Sequence, residues 1–456
     1  MADMKQQQHK KKAEWQPATW RAQPAAQQPE YPNARALQRV RTLIQTYPPL
    51  VVAGEIERLR GHLAEAGAGR TFILQGGNCA EQFADCTATA IMNQLKILLQ
   101  MSVILTHGAR KPVVRIGRLA GQYAKPRSNA FELVRGVRLP SYRGDIVNGS
   151  AATRAARTPD PARLRLAYHY AAMTLNYIHS LIDGGFADLH YPYTWNLHSI
   201  EQTPEWPEYK QTVEEILNAI RFMESFGGIR PETLGRIDFY TSHEGLVLEY
   251  EEALTRYDAA RGRWYNHGAH MLWIGNRTRA LDGAHVEYFR GIANPIGVKI
   301  DASCGADELL ALLDRLNPKN EAGRIMLITR CGVDKVAATV PRLARAVRAA
   351  RRQVTWCCDP MHGNTITLAD GRKTRGFSDV LEELRATHAA HVRSQSHLAG
   401  VHFELTGDDV TECTGGAVDV TRDDLRLRYQ SACDPRLNYV QSLEMAFLIA
   451  RLLRGA

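Results

Sequence analysis

The stretch VTWCCDPMHGNT, residues 354–365, begins like a buried β-strand and ends in polar, turn-forming residues. Val354, Trp356 and Cys358 occupy the apolar part, and Asp359 and His362 follow it directly. Functional side chains are often carried on short loops that a rigid element holds in place. The stretch therefore predicts a strand whose carboxyl end delivers residues to a site.

Seven further β-rich runs recur along the chain. They are TFILQ (71–75), VVRIG (113–117), IDFYT (237–241), MLWIG (271–275), IGVKI (296–300), IMLIT (325–329) and GVHFEL (400–405). Segments with helical spacing lie between or after them, at 88–106, 245–257, 306–316, 333–351, 376–390 and 437–454. Strands that alternate with helices predict a parallel sheet. Eight such units predict an α/β fold, a (β/α)8 TIM barrel closed on itself.

The predicted domains are an N-terminal extension, residues 1–45, and a catalytic barrel, residues 46–456. A long excursion separates the second strand from the third, and helical spacing recurs in it at 158–185 and 206–228. This is more chain than a simple crossover needs. We expect a helical insertion at about 158–228 and an extension wrapped over the barrel.

Composition places the chain among ordinary globular proteins, with 45% hydrophobic and 23% charged residues. The most apolar run, residues 91–105, is broken by polar side chains, so it predicts a buried helix and no membrane contact. The N-terminus lacks an apolar signal core, which favours a cytoplasmic protein. None of the eight cysteines forms a C-x-x-C pair, so a zinc knuckle is not expected.

The formal net charge of +9 raises the question of a nucleic-acid partner. Four lysines against one aspartate lie in the opening twelve residues, MADMKQQQHKKK, and no basic stripe interleaved with aromatic residues follows. Such a tail is typical of a solvated chain end. We expect no nucleic-acid binding.

The carboxyl ends of barrel strands build the active site. Here they bring together a thiol, an imidazole, carboxylates and several cations. These residues are Cys79, Arg118, Ser242, His243, Glu244, Trp273, Arg277, Lys299, Arg330, His362 and Glu404, joined by Asp434 from the loop before the last helix.

Four of these side chains form a mixed sulfur, nitrogen and oxygen donor set: Cys79, His362, Glu404 and Asp434. Such a set suits a divalent metal but does not select one, so Mn²⁺, Co²⁺, Fe²⁺ and Zn²⁺ all stay open. The ion would act as a Lewis acid on a carbonyl oxygen. No two of the four lie in a compact motif, and each alone could be a satisfied polar core residue.

The cations form two groups. Arg118, Arg277, Lys299 and Arg330 stand at strand ends, and KPRS adds Lys125, Arg127 and Ser128. Guanidinium groups bind phosphate and carboxylate through paired hydrogen bonds. Two such groups beside a metal predict two anionic substrates, or one long substrate with two charges.

Long motifs carry a resemblance to a known family. They are QGGNCAEQF, GRLAGQYAKPRS, LPSYRGDIVNG, YTSHEGLVLEYE, WIGNRTRALDGAHVEYFRGIANPIGVK, ITRCGVDK, DPMHGNT, HFELTGDDVTEC and CDPRLNYVQSLEMAF. From about residue 13 to the C-terminus, the chain resembles the type II (plant-like) 3-deoxy-D-arabino-heptulosonate 7-phosphate (DAHP) synthases. That family condenses phosphoenolpyruvate with erythrose 4-phosphate and releases phosphate, at the first step of the shikimate pathway to the aromatic amino acids.

The resemblance also implies residue roles. Cys79, His362, Glu404 and Asp434 would bind the metal, with Mn²⁺ or Co²⁺ favoured and Fe²⁺ or Zn²⁺ as alternatives. Arg118, Asn276, Arg277, Lys299 and Arg330 would hold phosphoenolpyruvate, and Lys125, Arg127 and Ser128 would hold erythrose 4-phosphate. Trp273 and Asn78 would line the site. The insertion and extension imply a homo-oligomer, a dimer or tetramer, with an aromatic amino acid as effector.

The chain departs from the family pattern at three places. Asn276 and Asn78 stand where the family usually has an acidic residue, and VKIDASCG lacks the Gly-Pro that often follows the strand lysine. These departures leave two alternatives open. One is a paralogue of secondary metabolism that uses another aldose phosphate, such as an amino-DAHP synthase. The other is a non-catalytic regulatory homologue, against which the complete metal set argues.

Cys433 precedes the presumed ligand Asp434 and is a redox candidate. Thiols near cations are the reactive ones, and neighbouring ligand loops can approach disulfide distance. The hypothesis is that oxidation after loss of the metal links Cys433 to Cys79.

Overall fold

The computed structural model describes residues 14–134, 136–186 and 237–455, with positions 207, 210, 211, 214, 215 and 218 between them. Eight parallel strands close into a barrel in chain order, with the first strand paired to both the second and the eighth. They are β1 (Phe72–Gly77), β2 (Val113–Arg118), β3 (Phe239–Glu244), β4 (Met271–Ile274), β5 (Ile296–Ile300), β6 (Ile325–Thr329), β7 (Thr355–Cys358) and β8 (Gly400–Glu404). The predicted (β/α)8 barrel and its eight strands are confirmed.

Helices precede the barrel, connect its strands and follow the last one. They are α1 (Ala34–Thr46), α2 (Ala53–Gly67), α3 (Ala88–Ala109), α4 (Arg154–Arg157), α5 (Ala162–Asp183), α6 (Leu248–Ala253), α7 (Ala284–Phe289), α8 (Ala306–Leu316), α9 (Val333–Ala349), α10 (Phe377–Arg393) and α11 (Tyr439–Arg454). Short 3-10 turns lie at Thr19–Ala22, Phe83–Asp85, His362–Asn364 and Asp424–Arg426. Phe131–Val134 pairs with Val137–Pro140, and Ile366–Thr367 pairs with Lys373–Thr374.

One predicted helix is wrong in extent. The segment 245–257 is helical only over Leu248–Ala253, and Thr255–Asp258 then pairs with Arg263–Asn266 in a hairpin. The β-branched and aromatic residues of this hairpin favour strands, and Gly262 supplies the positive φ of +64° at its turn.

Helix α3 is the apolar run that predicts a buried helix. Among the described residues it alone is long and apolar enough to cross a membrane, and 67% of its most apolar window is buried inside the protein. Its C-terminal end packs against α11, where a Cβ at Gly108 would lie 2.2 Å from the Ala450 Cβ. The close approach of the two backbones explains the glycine. These contacts are those of a core helix.

The N-terminal segment from residue 14 lies against the barrel beside α6. Trp20 is buried, and its Nε1 donates to Glu252 Oε2 at 2.8 Å. Arg21 and Arg41 both pair with Glu249, at 2.5 and 2.9 Å. The division at residue 45 and the bounds of the insertion stay predictions. The opening lysine-rich tail, and most of the predicted helical segment 206–228, lie outside the described residues.

Candidate active site

The carboxyl ends of the barrel strands surround a pocket of about 660 Å³. Thirteen predicted site residues line it: Arg118, Lys125, Arg127, Ser128, Glu244, Trp273, Asn276, Arg277, Lys299, Arg330, His362, Cys433 and Asp434. Cys79 and Glu404 are buried beside it and contact Lys125. Asn78 lies outside this pocket, where its Oδ1 accepts from Arg436 Nη1 at 2.8 Å.

Three of the four predicted metal ligands meet in one cluster, and His362 contacts it through Glu404. The Cys79 sulfur and one carboxylate oxygen each of Glu404 and Asp434 lie within 4.8 Å of one another, and all three residues are buried. The Nε2 of His362 is 2.9 Å from Glu404 Oε1. Lys125 reaches into the same cluster, although the resemblance implies that it binds the aldose phosphate. Its Nζ is 2.8 Å from Cys79 Sγ.

Asp359 sets the orientation of His362. Asp359 is fully buried; its Oδ1 accepts from the backbone N–H of His362 at 3.2 Å, and its Oδ2 lies 2.7 Å from His362 Nδ1. With the ring proton on Nδ1, the Nε2 lone pair faces the cluster, as in the carboxylate–histidine arrangement of many metal sites. The sequence places Asp359 at the end of β7 but assigns it no role. Its signal in the sequence is the D-x-x-H spacing at the end of β7.

Cations hold the cluster carboxylates ionised. Burial alone would raise the pKa of Glu404, but the charges of Lys125, Arg375 and Arg118 hold it well below its usual range. Arg118 Nη2 donates to Glu404 Oε1 at 3.0 Å, and Arg375 Nη2 lies 2.8 Å from Oε2. Arg375 is completely buried and is also absent from the sequence prediction.

The donor set fits a divalent ion. It joins a thiol, an imidazole nitrogen and two carboxylates; burial opposes the charge on Asp434, but Lys125 keeps its pKa depressed as well. Binding to an ion would convert the Cys79 thiol into a thiolate. Such a mixture of soft and hard donors suits transition metals and does not by itself choose among them.

A second group of cations faces the pocket beside the cluster. Lys299 is buried and forms an ion pair with Asp359. Burial lowers the pKa of Lys299 to about 8, although Asp359 opposes that shift. Arg330 Nη2 donates to the backbone oxygen of His362 at 3.1 Å. The guanidinium of Arg118 lies 5.2 Å from the ring centre of Trp273, which restricts both side chains.

The two predicted phosphate groups meet at Arg277 and Ser128, where Arg277 Nη2 donates to Ser128 Oγ at 2.8 Å. Arg127 pairs with Glu132 at 2.5 Å. His402, which shares a strand face with Glu404, is packed inside the barrel and contacts Gln75 at 2.7 Å.

Glu244, at the end of β3, has an oxygen without a hydrogen-bond partner. The carboxylate is buried and lines the pocket, and burial raises its pKa against the opposing charges of Lys125 and Lys299. A Cβ at Gly275 would lie 2.0 Å from Glu244 Oε1, so the neighbouring strand end leaves room for this carboxylate. The sequence places Glu244 at a strand end but assigns it no role.

Both asparagine departures have partners. Asn276 Nδ2 donates to Asp301 Oδ2 at 2.6 Å, and Asp301 is the aspartate of VKIDASCG. A carboxylate therefore lies one hydrogen bond away from position 276. The Arg436 guanidinium that contacts Asn78 already pairs with Glu412 at 2.7 Å, so an amide at position 78 leaves no unpaired charge there.

Cys433 lines the pocket beside the cluster. A hydrogen bond with Cys79 lowers the pKa of Cys433, against the opposing effect of burial. All eight cysteines are free.

A closed (β/α)8 barrel with a candidate metal cluster and many cations at its strand ends is an enzyme built for anionic substrates. The profile of the Class-II DAHP synthetase family matches residues 15–450. This chain therefore belongs to the Class-II DAHP synthetase family, as the motifs predict.

Curated relatives agree with that assignment. The phospho-2-dehydro-3-deoxyheptonate aldolase of Streptomyces coelicolor is 49% identical over 436 residues, covering 96% of this chain and 97% of the relative. The enzyme of the same name from Neurospora crassa is 49% identical over 452 residues, covering 96% and 94%. The aldolase AroG of Mycolicibacterium smegmatis is 44% identical over 439 residues, covering 95% and 93%.

Proposed function

We propose that this protein is a DAHP synthase, a transferase that condenses phosphoenolpyruvate with erythrose 4-phosphate in the shikimate pathway. Phosphoenolpyruvate, erythrose 4-phosphate and water give DAHP and inorganic phosphate. The observation that carries the proposal is the convergence of Cys79, His362, Glu404 and Asp434 beside two groups of cations in one pocket. Family membership supports it.

A divalent metal, with Mn²⁺ or Co²⁺ favoured, would be held by those four side chains. When bound, it would polarise the aldehyde oxygen of the acceptor sugar. Asp359 keeps the imidazole of His362 turned toward the cluster. Arg118 and Arg375 form ion pairs with Glu404, so its carboxylate stays ionised although it is buried.

Phosphoenolpyruvate would be held by Arg118, Arg277, Lys299 and Arg330, with Asn276 at the edge of the group. In this reaction C3 of phosphoenolpyruvate attacks the aldehyde carbon, water adds to C2, and phosphate leaves with cleavage of the C2–O bond. Because these cationic side chains are in place before the substrates bind, they stabilise the negative charge that develops during the reaction without having to rearrange. Glu244 is the buried carboxylate in the pocket with a raised pKa and a free oxygen, which suits it to take the proton of the incoming water.

Arg127 and Ser128 would bind the phosphate of the acceptor, together with Lys125. The acceptor itself distinguishes a shikimate enzyme from a paralogue that uses another aldose phosphate. Purified protein is assayed with phosphoenolpyruvate, Mn²⁺ and a panel of aldose phosphates. Erythrose 4-phosphate is expected to give the highest kcat/KM, and preference for an amino-sugar phosphate would favour the paralogue.

The metal role is tested by following the loss of phosphoenolpyruvate absorbance. His362→Ala and Glu404→Ala are expected to lower turnover by about a thousandfold or more, because each removes a ligand of the Lewis acid. A chelator is expected to abolish activity and added Mn²⁺ to restore it. Lys319→Ala, at an exposed position outside the pocket, is the control. Full activity in the chelated protein would contradict the metal role.

The remaining parts of the proposal concern the whole protein. The DAHP synthetases are soluble biosynthetic enzymes, and we place this one in the cytoplasm as a homo-oligomer, a dimer or tetramer, inhibited by an aromatic amino acid. We expect neither a nucleic-acid nor a membrane partner.

A further inference from the structure

The ammonium group of Lys125 lies between three side chains that would ligate the metal. Its Nζ is 2.8 Å from Cys79 Sγ, 2.8 Å from Asp434 Oδ2 and 3.0 Å from Glu404 Oε1. A point in contact with all three atoms is the position that an ion bound to them would take. An ammonium group and a metal ion cannot share that position, because they overlap and both are positively charged.

The backbone that carries Lys125 is held independently of this contact. Glu81 accepts hydrogen bonds from the backbone N–H groups of Ala120, Gly121 and Gln122, at 2.8 to 3.0 Å. The N–H of Lys125 itself donates to the Arg143 oxygen at 2.9 Å. The loop can therefore stay in place while the flexible four-carbon side chain moves.

The pocket provides the other position for the ammonium group. Lys125 lines it together with Arg127 and Ser128, whose backbone lies two and three residues further along the chain. When the ammonium group moves from the cluster into the pocket, it can form an ion pair with a phosphate group bound there. The same side chain is then able to neutralise either the ligand cluster or an anionic substrate, but not both.

We infer that Lys125 is a displaceable occupant of the metal cluster: the ion expels its ammonium group into the pocket, where it completes the phosphate-binding group. This rests on the proposed metal-dependent function and adds a coupling to it. Because coupling between two binding sites is reciprocal, an anion that holds Lys125 in the pocket strengthens metal binding by the same factor that the metal strengthens anion binding.

The test measures Mn²⁺ affinity by competition with a chelating dye for the wild type, Lys125→Met and Lys373→Met. Lys373 is the matched control, because its Nζ contacts the other oxygen of Asp434 at 2.7 Å and its side chain is 40% exposed. Both substitutions remove one positive charge beside Asp434, but only Lys125→Met clears the cluster. Lys125→Met is expected to bind Mn²⁺ at least about tenfold more tightly than Lys373→Met, since the occupied cluster reduces apparent affinity by the fraction of protein that is competent to bind.

A second arm adds sulfate as a probe for phosphate. Sulfate is expected to strengthen Mn²⁺ binding by the wild type and by Lys373→Met, and to leave Lys125→Met unchanged. Equal Mn²⁺ affinities for the two variants, with a functional Mn²⁺ site in the wild type, would overturn the inference and leave the proposed function standing. A wild type that binds none of Mn²⁺, Co²⁺, Fe²⁺ and Zn²⁺ would overturn both.

A measurement on the wild type covers the case in which Lys125→Met does not fold. Crystals grown with Mn²⁺ are expected to show the Lys125 ammonium beyond hydrogen-bond distance of Cys79 Sγ and Asp434. An ion on Cys79, Glu404 and Asp434 with the ammonium still in contact with two of them would refute the displacement.

Discussion

The positive charge of Lys299 is disfavoured by burial, because its side chain lies inside the protein at the end of β5. Burial depresses its pKa to about 8, and the ion pair with Asp359 offsets only part of that effect. A lysine with a depressed pKa is charged below about pH 8 and neutral above it. If Lys299 holds phosphoenolpyruvate, its protonation decides how strongly the free enzyme attracts that anion.

We predict that kcat/KM for phosphoenolpyruvate falls as pH rises through about 8, by roughly tenfold per unit in the limit. The sign follows from the loss of the ammonium charge above its pKa. Lys299→Arg is expected to remove this bend from the pH profile even if its overall rate is lower, because a guanidinium stays protonated. A wild-type profile without the bend, or the same bend in the arginine variant, would contradict the assignment.

A second prediction concerns a disulfide between Cys433 and Cys79. The interaction with the Cys79 thiol lowers the pKa of Cys433. We predict that oxidation of metal-depleted protein links the two by a disulfide and stops turnover until reductant and metal are restored. Peptide mapping checks the bond. Cys433→Ser should resist this inactivation. Cys86→Ser is the control and should not resist it; the Cys86 thiol is partly buried and forms a hydrogen bond with Thr174. Finding both thiols alkylatable after activity is lost would refute the link.

The loops at the strand ends are fixed to one another by buried carboxylates. Glu81 accepts three backbone N–H groups from the loop after β2. Glu383, from α10, accepts the backbone N–H groups of Cys331 and Gly332 after β6, and also binds Asn364 after β7 at 2.7 Å. Burial raises the pKa of each to about 7, and the backbone hydrogen bonds oppose that shift. The catalytic loops are therefore positioned by hydrogen bonds that no strand provides.

The N-terminal segment contributes a similar contact to the acceptor side of the pocket. Gln27 Oε1 accepts from the backbone N–H of Arg127 at 3.0 Å, and its Nε2 donates to the Arg127 oxygen at 3.1 Å. This pair of bonds fixes the backbone of KPRS from outside the barrel. Gln27 is a positioning residue in this view.

We predict that Gln27→Ala raises KM for erythrose 4-phosphate by about tenfold, because a small displacement of a positioning loop is costly, and changes KM for phosphoenolpyruvate by less than about twofold. Steady-state kinetics with each substrate varied in turn provides the measurement. Gln38→Ala, an exposed glutamine on α1 of the same segment, is the matched control. Equal increases in both KM values would indicate general loss of structure instead.

The sequence predicts those parts of the molecule that local pattern determines. Continuous apolar runs mark the barrel strands, and polar residues directly after them mark the candidate site. The roles of Asp359 and Arg375 depend on contacts between separate loops, which spacing alone does not reveal. The Lys125 ammonium is held by Cys79 after β1, Glu404 at the end of β8 and Asp434 before α11, so a motif such as KPRS cannot predict its position. The predicted helix extends into the hairpin after α6 because the helical spacing of VLEYEEALTRY, residues 247–257, continues beyond the point where the helix ends.

At the scale of the whole molecule, large apolar side chains are exposed on helix α5 and on the hairpin after β2, which are additions to the eight strand–helix units of the barrel. Leu166 and Met173 on α5 are 39% and 56% exposed and lie two turns apart on one helix face. The hairpin beside the pocket exposes Phe131, Leu133 and Val137. Clustered exposed apolar residues are typical of association surfaces. Leu166 and Met173 lie within the predicted insertion, and their exposure supports the proposed homo-oligomer.

We predict a dimer or tetramer by light scattering, in which Met173→Asp lowers the average mass because a charge enters the association surface. Leu427→Asp is the control, since Leu427 is 70% exposed but lies outside the insertion. Activity is expected to fall with at least one of phenylalanine, tyrosine or tryptophan. If Met173→Asp loses both its assembly and its inhibition by the amino acid, the response to the effector depends on the oligomer. A wild-type monomer, or indifference to all three amino acids, would count against regulation through assembly.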